Sequence, residues 1–397
     1  MVDVRVTRTA LVPDPLRVSR YCKAPELGPR LLFFSGGTAL DQVASRLQHY
    51  SHNTIHLVTP FDSGGSSAKL RQAFDMPAIG DLRNRLMALA DDTVLGHPEV
   101  YQLFNHRLPP NASAESLHDT LIELATGRHS LTTAINDPMR QLICNQLGFF
   151  IKQMPPGFDL RGASIGNLIL AGGYLNNHQQ LDPIIFLFSK LVHVRGIVRP
   201  TVSENYHLSA VLDDGSQVLG QHRITGKEVA PLASGVAHVG LSAQCDAWVP
   251  VSASLSDKSL RLIESAELIC YPPGSFHTSV MANLLPRGVG CAVRDNYCPK
   301  VYIPNPCPDP EQIGRTQQQL ITTLLATLRY DAGNECPNQA LLGYILVDRT
   351  NGNYPGGIDD KAIEALGIQL IDTPLITSKS APYYDPDLLI TALMSLV

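Results

Sequence analysis

The sequence predicts an α/β fold: a Rossmann-like, mainly parallel sheet with helices on both faces, a helical insertion and a small antiparallel hairpin. Short apolar strands recur along the chain, and at 31–47 and 54–74 a glycine-rich turn and a run with helical spacing follow the strand. Strands and helices alternate again from residue 300 almost to the C-terminus. Alternation of this kind is typical of βαβ units and therefore of a parallel sheet.

The composition indicates a folded protein without a broad attraction for nucleic acid. Of 397 residues, 44% are hydrophobic and 17% are charged, and the net charge is −5. A chain of this length can bury a substantial core, whereas its negative charge disfavours nucleic acid as a partner. The most apolar runs, at 164–175 and 183–194, are too short and interrupted to span a bilayer. With no visible secretory signal and eight scattered cysteines that form no CxxC pair, we expect a cytoplasmic protein.

The chain divides into an N-terminal segment and one large domain. Residues 1–30 contain four prolines, and we expect them to form an extended arm. Residues 31–397 are predicted to form a single α/β domain. Within it, a helical insertion at about 91–162 either covers the ligand or only adds a packing layer. The region at about 195–240 predicts a β-hairpin, and we interpret Asp213 and Asp214 as residues of its turn.

A glycine turn follows the first predicted strand. The apolar run 31–34 leads into Ser35-Gly36-Gly37-Thr38, and a helical pattern begins directly afterwards. Strand, Gly-Gly turn and helix form the first unit of a nucleotide-binding sheet, with the phosphate expected at the turn. A Gly-Gly pair alone also fits a plain tight turn, because glycine accepts positive φ.

A second loop of the same kind follows the strand at 54–59. It contains Asp62 and four small residues, Gly64, Gly65, Ser66 and Ser67. Backbone N–H groups and hydroxyls gathered at a strand end suit a phosphate, and Asp62 is placed to hold a metal or orient a hydroxyl. Shortly afterwards Asp81, Arg83 and Asn84 stand at the predicted start of another helix. The simpler interpretation is that Asp81 caps this helix and Arg83 forms a salt bridge.

A third loop, Pro272-Pro273-Gly274-Ser275, follows the predicted strand 267–271. Ser275 and His277 are candidates for contact with a nucleotide or a second substrate. Asn167 is a further candidate, with capping or a turn as its alternative role. Because the carboxyl ends of parallel strands meet at one edge of a sheet, we expect the three loops to line one crevice.

Several motifs occur in a fixed order: FSGGTAL, GGSSxxLR, PxxGDLRN, SIGNLILAG, PPGSFHTSVMANLL and KVYIPN. In this order they resemble the CofD/YvcK superfamily, over about 31–305 and more weakly to the C-terminus. The superfamily contains 2-phospho-L-lactate transferases and also proteins thought to bind nucleotide-sugars without turning them over.

The resemblance implies a transferase that binds a nucleotide diphosphate conjugate and moves a phosphoryl-linked group, similar to 2-phospho-L-lactate, to an acceptor hydroxyl. Such a transfer needs the charge of the pyrophosphate neutralised, and Asp62, together with Asp81, is expected to hold a Mg²⁺ ion as a catalytic and metal-binding residue. Phosphate or nucleotide binding is expected from the three loops and the residues near them: Gly36, Gly37, Thr38, Gly64, Gly65, Ser66, Ser67, Arg83, Asn84, Asn167, Gly274, Ser275 and His277.

Alternatives remain open at this point. Ser63 stands where YvcK proteins have a second aspartate. The GDLRN motif is that of YvcK proteins, whereas transferases that use a deazaflavin have a different acidic motif at this position, so the resemblance disfavours a deazaflavin acceptor. The alternative is a non-catalytic, YvcK-like regulatory protein that binds a UDP-sugar or another nucleotide. A dinucleotide oxidoreductase is disfavoured because GxGxxG is absent. The acceptor, the choice between guanine and uracil, and a homodimeric state stay undecided.

Overall fold

The computed structural model describes residues 9–91, 97–226 and 229–397. The described strands, in chain order, are β1 (Leu31–Ser35), β2 (Ile55–Val58), β3 (Ile197–Pro200), β4 (His207–Leu212), β5 (Gln217–Leu219), β6 (Val236–Ser242), β7 (Pro250–Val251), β8 (Leu268–Tyr271), β9 (Lys300–Tyr302), β10 (Tyr344–Val347) and β11 (Gln369–Asp372).

Seven of these strands form the main sheet, in the order β11-β10-β9-β8-β1-β2-β3. All neighbouring pairs are parallel. The chain builds outward from β1 to β3 and then returns to place β8 on the other side of β1. The order therefore reverses between β1 and β8. The predicted Rossmann-like parallel sheet is confirmed.

Helices cover both faces of this sheet. In chain order they are α1 (Pro15–Lys23), α2 (Asp41–Leu47), α3 (Gly65–Phe74), α4 (Gly80–Ala88), α5 (Pro98–Asn105), α6 (Ala114–Ala125), α7 (Ser130–Thr133), α8 (Met139–Gln153), α9 (Ile165–Asn176), α10 (Leu181–Leu191), α11 (Gln221–Thr225), α12 (Asp257–Glu264), α13 (Ala282–Leu284), α14 (Val289–Asp295), α15 (Gln317–Ala332), α16 (Asn338–Leu341), α17 (Asp360–Ala365) and α18 (Pro386–Met394). A π-helix spans Phe276–Met281. None of the described helices is long and apolar enough to cross a membrane.

The central strands are buried on both faces, which is why they read as continuous apolar runs. Every residue of β1 and β2 is buried. Alternate side chains of β1 enter different parts of the core: Phe34 packs in a cluster with β4 and β6, whereas Phe33 packs with α2 and α18. Val58, at the end of β2, belongs to a third cluster with the helices of the insertion.

The helical insertion is longer than the predicted 91–162. All described elements between β2 and β3 are helical, from α3 to α10, and α8 packs closely on α9. Residues 92–96 lie outside the described part of the chain. The insertion has its own apolar core, which includes Leu103, Leu121 and Phe188.

The predicted extended arm is wrong for residues 9–30. Asp14 accepts a hydrogen bond from the Arg17 N–H at 3.0 Å and starts α1, with Pro15 in the first turn. Proline at this position favours helix initiation, although the prolines here suggested extension. The arm lies against α18, since the Asp14 N–H donates to Ser395 Oγ at 2.8 Å. Residues 1–8 lie outside the described part.

The antiparallel part is a four-stranded sheet, ordered β5-β4-β6-β7. Its β4–β5 hairpin turns at 213–216, where the Asp214 carboxylate accepts from the Ser216 N–H at 2.9 Å. Two details differ from the predicted region at 195–240. β3 pairs with β2 in the main sheet, and β7 carries the small sheet on to Val251.

Candidate functional site

A crevice opens at the carboxyl ends of β1 and β8, where the strand order of the sheet reverses. Its volume is about 130 Å³, and it is lined by residues 34–40, by residues 272–275, and by Asp81, Gln221 and Ser279. A second, more apolar cavity of about 390 Å³ shares Thr38, Gly274 and Ser275 with it and reaches Tyr384. In open α/β sheets, ligands bind at the point where the strand order reverses.

The Gly36–Gly37 turn is held from behind by Arg85. This guanidinium is fully buried, and Nη2 donates to the carbonyls of Gly36 at 3.2 Å and Gly37 at 2.9 Å. In a trans peptide the N–H points opposite to the C=O. The N–H groups of Gly37 and Thr38 therefore point away from Arg85, and no described backbone acceptor takes them. The turn thus presents unoccupied donors to an anion.

Neither Gly36 nor Gly37 has room for a side chain, because neighbouring atoms occupy the space that a Cβ would need. A Cβ on Gly36 would lie 2.1 Å from Ser279 Oγ, and one on Gly37 would lie 2.7 Å from Asp81 Oδ1. The same close approach brings the Asp81 carboxylate against the turn. The three groups predicted from separate motifs, Gly37, Asp81 and Gly274, meet in one crevice.

The second glycine loop adjoins the crevice without lining it. Asp62 Oδ1 accepts from the Gly64 N–H at 3.0 Å, so the predicted phosphate contact through the Gly64 amide is corrected. Gly65 begins α3 with φ +45°, and a Cβ there would meet nothing within 4 Å. The N–H groups of Gly65, Ser66 and Ser67 belong to the first turn of α3, where a helix leaves its donors unpaired.

Asp62 and Asp81 converge at the start of α4. A Cβ on Gly80 would lie 2.9 Å from Asp62 Oδ2 and 2.5 Å from Ser67 Oγ. Burial raises the pKa of Asp81 to about 7, with the negative charge of Asp62 as the second cause and the hydrogen bond from Thr59 opposing both. Asp81 does not cap α4, because Ile79 occupies the N-cap position.

The carboxylates of Asp62 and Asp81 could supply two of the ligands that a divalent cation needs. Two acids that repel each other beside an anion-binding turn are relieved by a cation, and Mg²⁺ typically takes one or two carboxylates together with phosphate oxygens and water. Within residues 9–91, 97–226 and 229–397 no group of three or more His, Cys, Asp or Glu could hold a metal. The described chain thus offers this pair of carboxylates without a third acid, histidine or cysteine beside them.

The third loop reaches the crevice, but its amide is already used. The Gly274 N–H donates to Asn305 Oδ1 at 2.6 Å, and Asn305 Nδ2 returns a hydrogen bond to the Gly274 carbonyl at 2.6 Å. Phosphate capture by the Gly274 amide is therefore corrected. Gly274 and Ser275 line the crevice all the same.

His277 is placed away from the glycine loops. Its ring lines a different cavity, together with Asp213 and Arg315 on the side of α15. Burial lowers its pKa to about 3, and neither ring nitrogen has a partner within the described chain. The predicted contact of His277 with a nucleotide in the crevice is corrected, because the π-helix turns this side chain toward α15.

Arg83, Asn84 and Asn167 also lie outside the crevice. Arg83 Nη1 donates to Asn105 Oδ1 at 3.1 Å, and Nε donates to Asn167 Oδ1 at 3.4 Å. Arg83 and Asn84 line a separate cavity of about 590 Å³. No carboxylate of the described residues forms a salt bridge with Arg83, so its predicted role as an ion-pair partner is also corrected.

Three residues that shape the crevice carried no predicted role: Arg85, Gln221 and Asn305. Arg85 stands in the GDLRNR run, and its basic character within a phosphate-associated motif was the one available signal. Gln221 begins α11 and Asn305 follows β9. Gln221 lines the crevice, and Asn305 lines the neighbouring cavity and holds Gly274; both contacts are distant in sequence, so no local pattern shows them.

Fold and crevice together define a class: a doubly wound α/β protein with a glycine turn and acidic side chains at the reversal of strand order. The family model described as 2-phospho-L-lactate transferase CofD matches residues 31–376. The chain belongs to this family, which confirms the resemblance seen in the motifs.

Individual relatives are consistent with this family, and a solved structure is consistent with the fold. A protein named gluconeogenesis factor from Bacillus subtilis is 26% identical over 361 residues, which cover 89% of this chain and 92% of that protein. A longer relative from Nostoc sp. is also 26% identical, and the chain spans 63% of its length. A crystal structure of a UPF0052 family protein from Bacillus halodurans superimposes with a TM-score of 0.67 at 24% identity, covering 92% of this chain and 99% of that one. This structural likeness supports the fold.

Proposed function

We propose that the crevice binds a nucleotide diphosphate conjugate together with Mg²⁺, and that the protein transfers a phosphoryl-linked group to an acceptor hydroxyl. One observation carries the proposal: Gly37 and Thr38, whose N–H groups point away from Arg85, line one crevice with the Asp81 carboxylate at the reversal of strand order. Family membership supports a nucleotide-type ligand.

The chain's own groups would grip the diphosphate. The amides of Gly36, Gly37 and Thr38 supply donors in the crevice, and the first turn of α3, from Gly65 to Ser67, supplies more beside it. Such amides favour anions because they also carry the positive end of the helix dipole. Ser275 adds a hydroxyl on the opposite wall. The neighbouring apolar cavity has room for the nucleoside or the acceptor.

Asp62 and Asp81 would hold the cation. With Mg²⁺ held there, the site would gain a positive charge that neutralises the negative charge developing on the phosphate during transfer. The contribution of the protein is to fix the angle between the two carboxylates and the glycine turn. Arg85, which fixes the turn, and Thr59, which donates to Asp81, serve this positioning.

A regulatory protein that binds a nucleotide-sugar without turnover is the second candidate. The names of the relatives favour it, since those from Bacillus subtilis and Halalkalibacterium halodurans are called gluconeogenesis factors. Ser63, in place of a second aspartate, also reduces the number of carboxylates near the diphosphate.

Turnover separates the two candidates. The protein is first screened by thermal shift with GDP, UDP-sugars and Mg²⁺, because a ligand of the folded state raises Tm. Bound conjugates are then incubated with Mg²⁺ and candidate hydroxyl acceptors, and mononucleotide release is measured. Release supports the transferase, whereas tight binding without release supports the regulator.

The variant Asp62→Asn tests the role of the carboxylate pair. We expect it to abolish mononucleotide release while keeping much of the nucleotide affinity, because the backbone donors remain. Asp214→Asn is the matched control, since Asp214 lies exposed in the β4–β5 turn. Unchanged release by Asp62→Asn would remove this residue from the mechanism.

A further inference from the structure

The cavity of about 590 Å³ beside α4 has no role in the proposed function. It lies between α2, α4 and α5, and its polar lining includes Asp41, Ser45, Arg83, Asn84 and Asn105. Arg83 follows Asp81 by two residues, a rotation of about 200° around a helix. The cavity therefore opens on the other side of α4 from the Asp81 crevice.

Arg83 is a buried cation that forms no salt bridge with an acid of the described residues. Its side chain is 7% exposed, and its recorded hydrogen bonds go to two amide oxygens, on Asn105 and Asn167. No salt bridge to Arg83 exists within the described residues. Burial lowers the pKa of Arg83 to about 10, with the positive charge of Arg107 as the next cause, so the guanidinium stays protonated at neutral pH.

The other charges in the cavity wall are already engaged. Arg46 holds Asp387 through Nη2 at 2.8 Å, and Asp41 lies 3.3 Å from Arg85 Nη1. Arg83 is thus the cation of the described lining that forms no salt bridge, and the negative charges of Asp41 and Asp81 act on it only from beyond contact distance. A buried charge is costly unless an opposite charge compensates it, and an anion entering the cavity would supply one.

The remaining groups suit a phosphate ester. Arg83 presents a planar fork of donors, and Ser45, Asn84 and Tyr101 add hydroxyl and amide groups to the wall. The volume lies in the range typical of small-molecule sites. We propose that this cavity binds the phosphate group of a small phosphorylated molecule, with Arg83 as its main contact, at a site separate from the crevice.

The test uses inorganic phosphate as the probe. The full-length protein is saturated with GDP and Mg²⁺ to fill the crevice, and radiolabelled phosphate binding is then measured by equilibrium dialysis. We expect one further phosphate per chain. Acetate at equal ionic strength should not displace it, and equal competition by acetate would overturn the assignment to phosphate.

Two variants locate the bound phosphate. Arg83→Gln removes the charge and should weaken phosphate binding about tenfold or more, since hydrogen bonds to charged groups are the strong ones. Because Arg83 also bonds to Asn105 and Asn167, its loss could unfold the site. Ser45→Asp leaves those bonds intact, places a negative charge at the cavity wall and should weaken binding similarly. Arg128→Gln, an exposed arginine in a distant turn, is the control and should bind as the wild type does.

A failure of this inference can be told apart from a failure of the proposed function, because phosphate reports on the cavity and GDP on the crevice. Absence of phosphate binding at about 10 mM, a concentration well above typical ligand affinities, would overturn the inference, as would wild-type binding by both cavity variants. Failure of GDP to bind would count against the crevice alone. The phosphate titration is then repeated without GDP, and dependence on Arg83 and Ser45 still decides the cavity.

Discussion

Gly36 and Gly37 show how single residues set the geometry of the crevice. The strand-turn-helix pattern predicted a glycine turn here but not the reason for it. Ser279 and Asp81 fill the space that any side chain on these two residues would need. The turn can therefore approach the carboxylate and expose its amides only because both residues lack a Cβ.

Gly36→Ala should weaken nucleotide binding by at least about tenfold, because the new Cβ would lie 2.1 Å from Ser279 Oγ and 2.7 Å from Ser279 Cβ. The double variant with Ser279→Gly removes both clashing atoms and should recover part of the affinity. Gly148→Ala, at an exposed position in α8 with nothing within 4 Å, is the control and should bind normally. Titration calorimetry measures all three, and equal affinity of Gly36→Ala and the wild type would refute the tight packing.

Sequence reasoning failed at residues whose partners are distant along the chain. Gly274 was correctly placed at the crevice, but its amide is taken by Asn305, 31 residues away. Arg83 and Asp81 share one short motif, yet α4 turns them to opposite sides. Motif spacing gives the neighbourhood of a residue, whereas the direction of its polar atoms depends on helix rotation and on contacts between loops.

Among the secondary-structure elements, the π-helix at Phe276–Met281 is held mainly by one buried acid, while Asp309 Oδ2 accepts from the Phe276 N–H at 3.3 Å. Buried Glu311 accepts from the N–H groups of His277 at 2.8 Å and Thr278 at 2.9 Å, and from Thr278 Oγ1 at 2.6 Å. Burial raises the pKa of Glu311 to about 7, with the charge of Asp309 as the second cause. This helix carries Ser279 to the crevice, so Glu311 supports the site from outside it.

Glu311→Ala should lower the free energy of unfolding by about 2–4 kcal/mol, because two buried N–H groups lose their acceptor. Glu311→Gln keeps an acceptor oxygen and should cost less. Urea denaturation at pH 7 compares both variants with the wild type. Equal stability of Glu311→Ala and the wild type would show that Glu311 does not hold the π-helix.

The raised pKa of Glu311 predicts that the stability of the protein depends on pH. The folded protein keeps a proton on Glu311 up to about pH 7, whereas the unfolded chain releases it near pH 4.5. The contribution of this group to stability is therefore complete below about pH 4.5 and declines as the pH rises toward 7. Between pH 5 and 8, the free energy of unfolding should fall less steeply with pH in Glu311→Gln than in the wild type. Parallel curves would contradict the raised pKa.

In the whole molecule, the C-terminal helix completes the core. The family model ends at residue 376, but α18 lies beyond it and packs Leu389 and Leu393 in one cluster with Phe33 of β1. Asp387 at its start also accepts from the Tyr50 hydroxyl at 2.9 Å. The last turns of the chain therefore stabilise the same face of the sheet that α2 covers.

Leu393→Ala should destabilise the protein by about 2–5 kcal/mol, the range for a leucine lost from a packed core. Leu388→Ala is the matched control on the same helix, because Leu388 is 36% exposed, and it should cost less than about 1 kcal/mol. Chemical denaturation of the two variants measures the difference. Similar losses would show that α18 is not packed as described.

The architecture was predictable because strands β1, β2 and β8 to β11 carry local signals: apolar runs, glycine turns and alternating helices. α18 was not predicted, although Asp385 caps it and Pro386 opens it, which is an ordinary helix start signal. The pairing of β3 with β2 was missed for another reason. Its short sequence resembles the neighbouring antiparallel strands, and only the long helical connection selects the parallel partner.

The central claim is that the crevice binds a nucleoside diphosphate through the glycine turn and a cation held by Asp62 and Asp81. Calorimetric titration with GDP and with UDP, each with and without Mg²⁺, tests it most directly. We predict that at least one of them binds about tenfold or more tightly with Mg²⁺, and that Asp81→Asn loses this enhancement while keeping the weaker, metal-free binding. Binding of neither nucleotide, or an undiminished Mg²⁺ effect in Asp81→Asn, would contradict the claim.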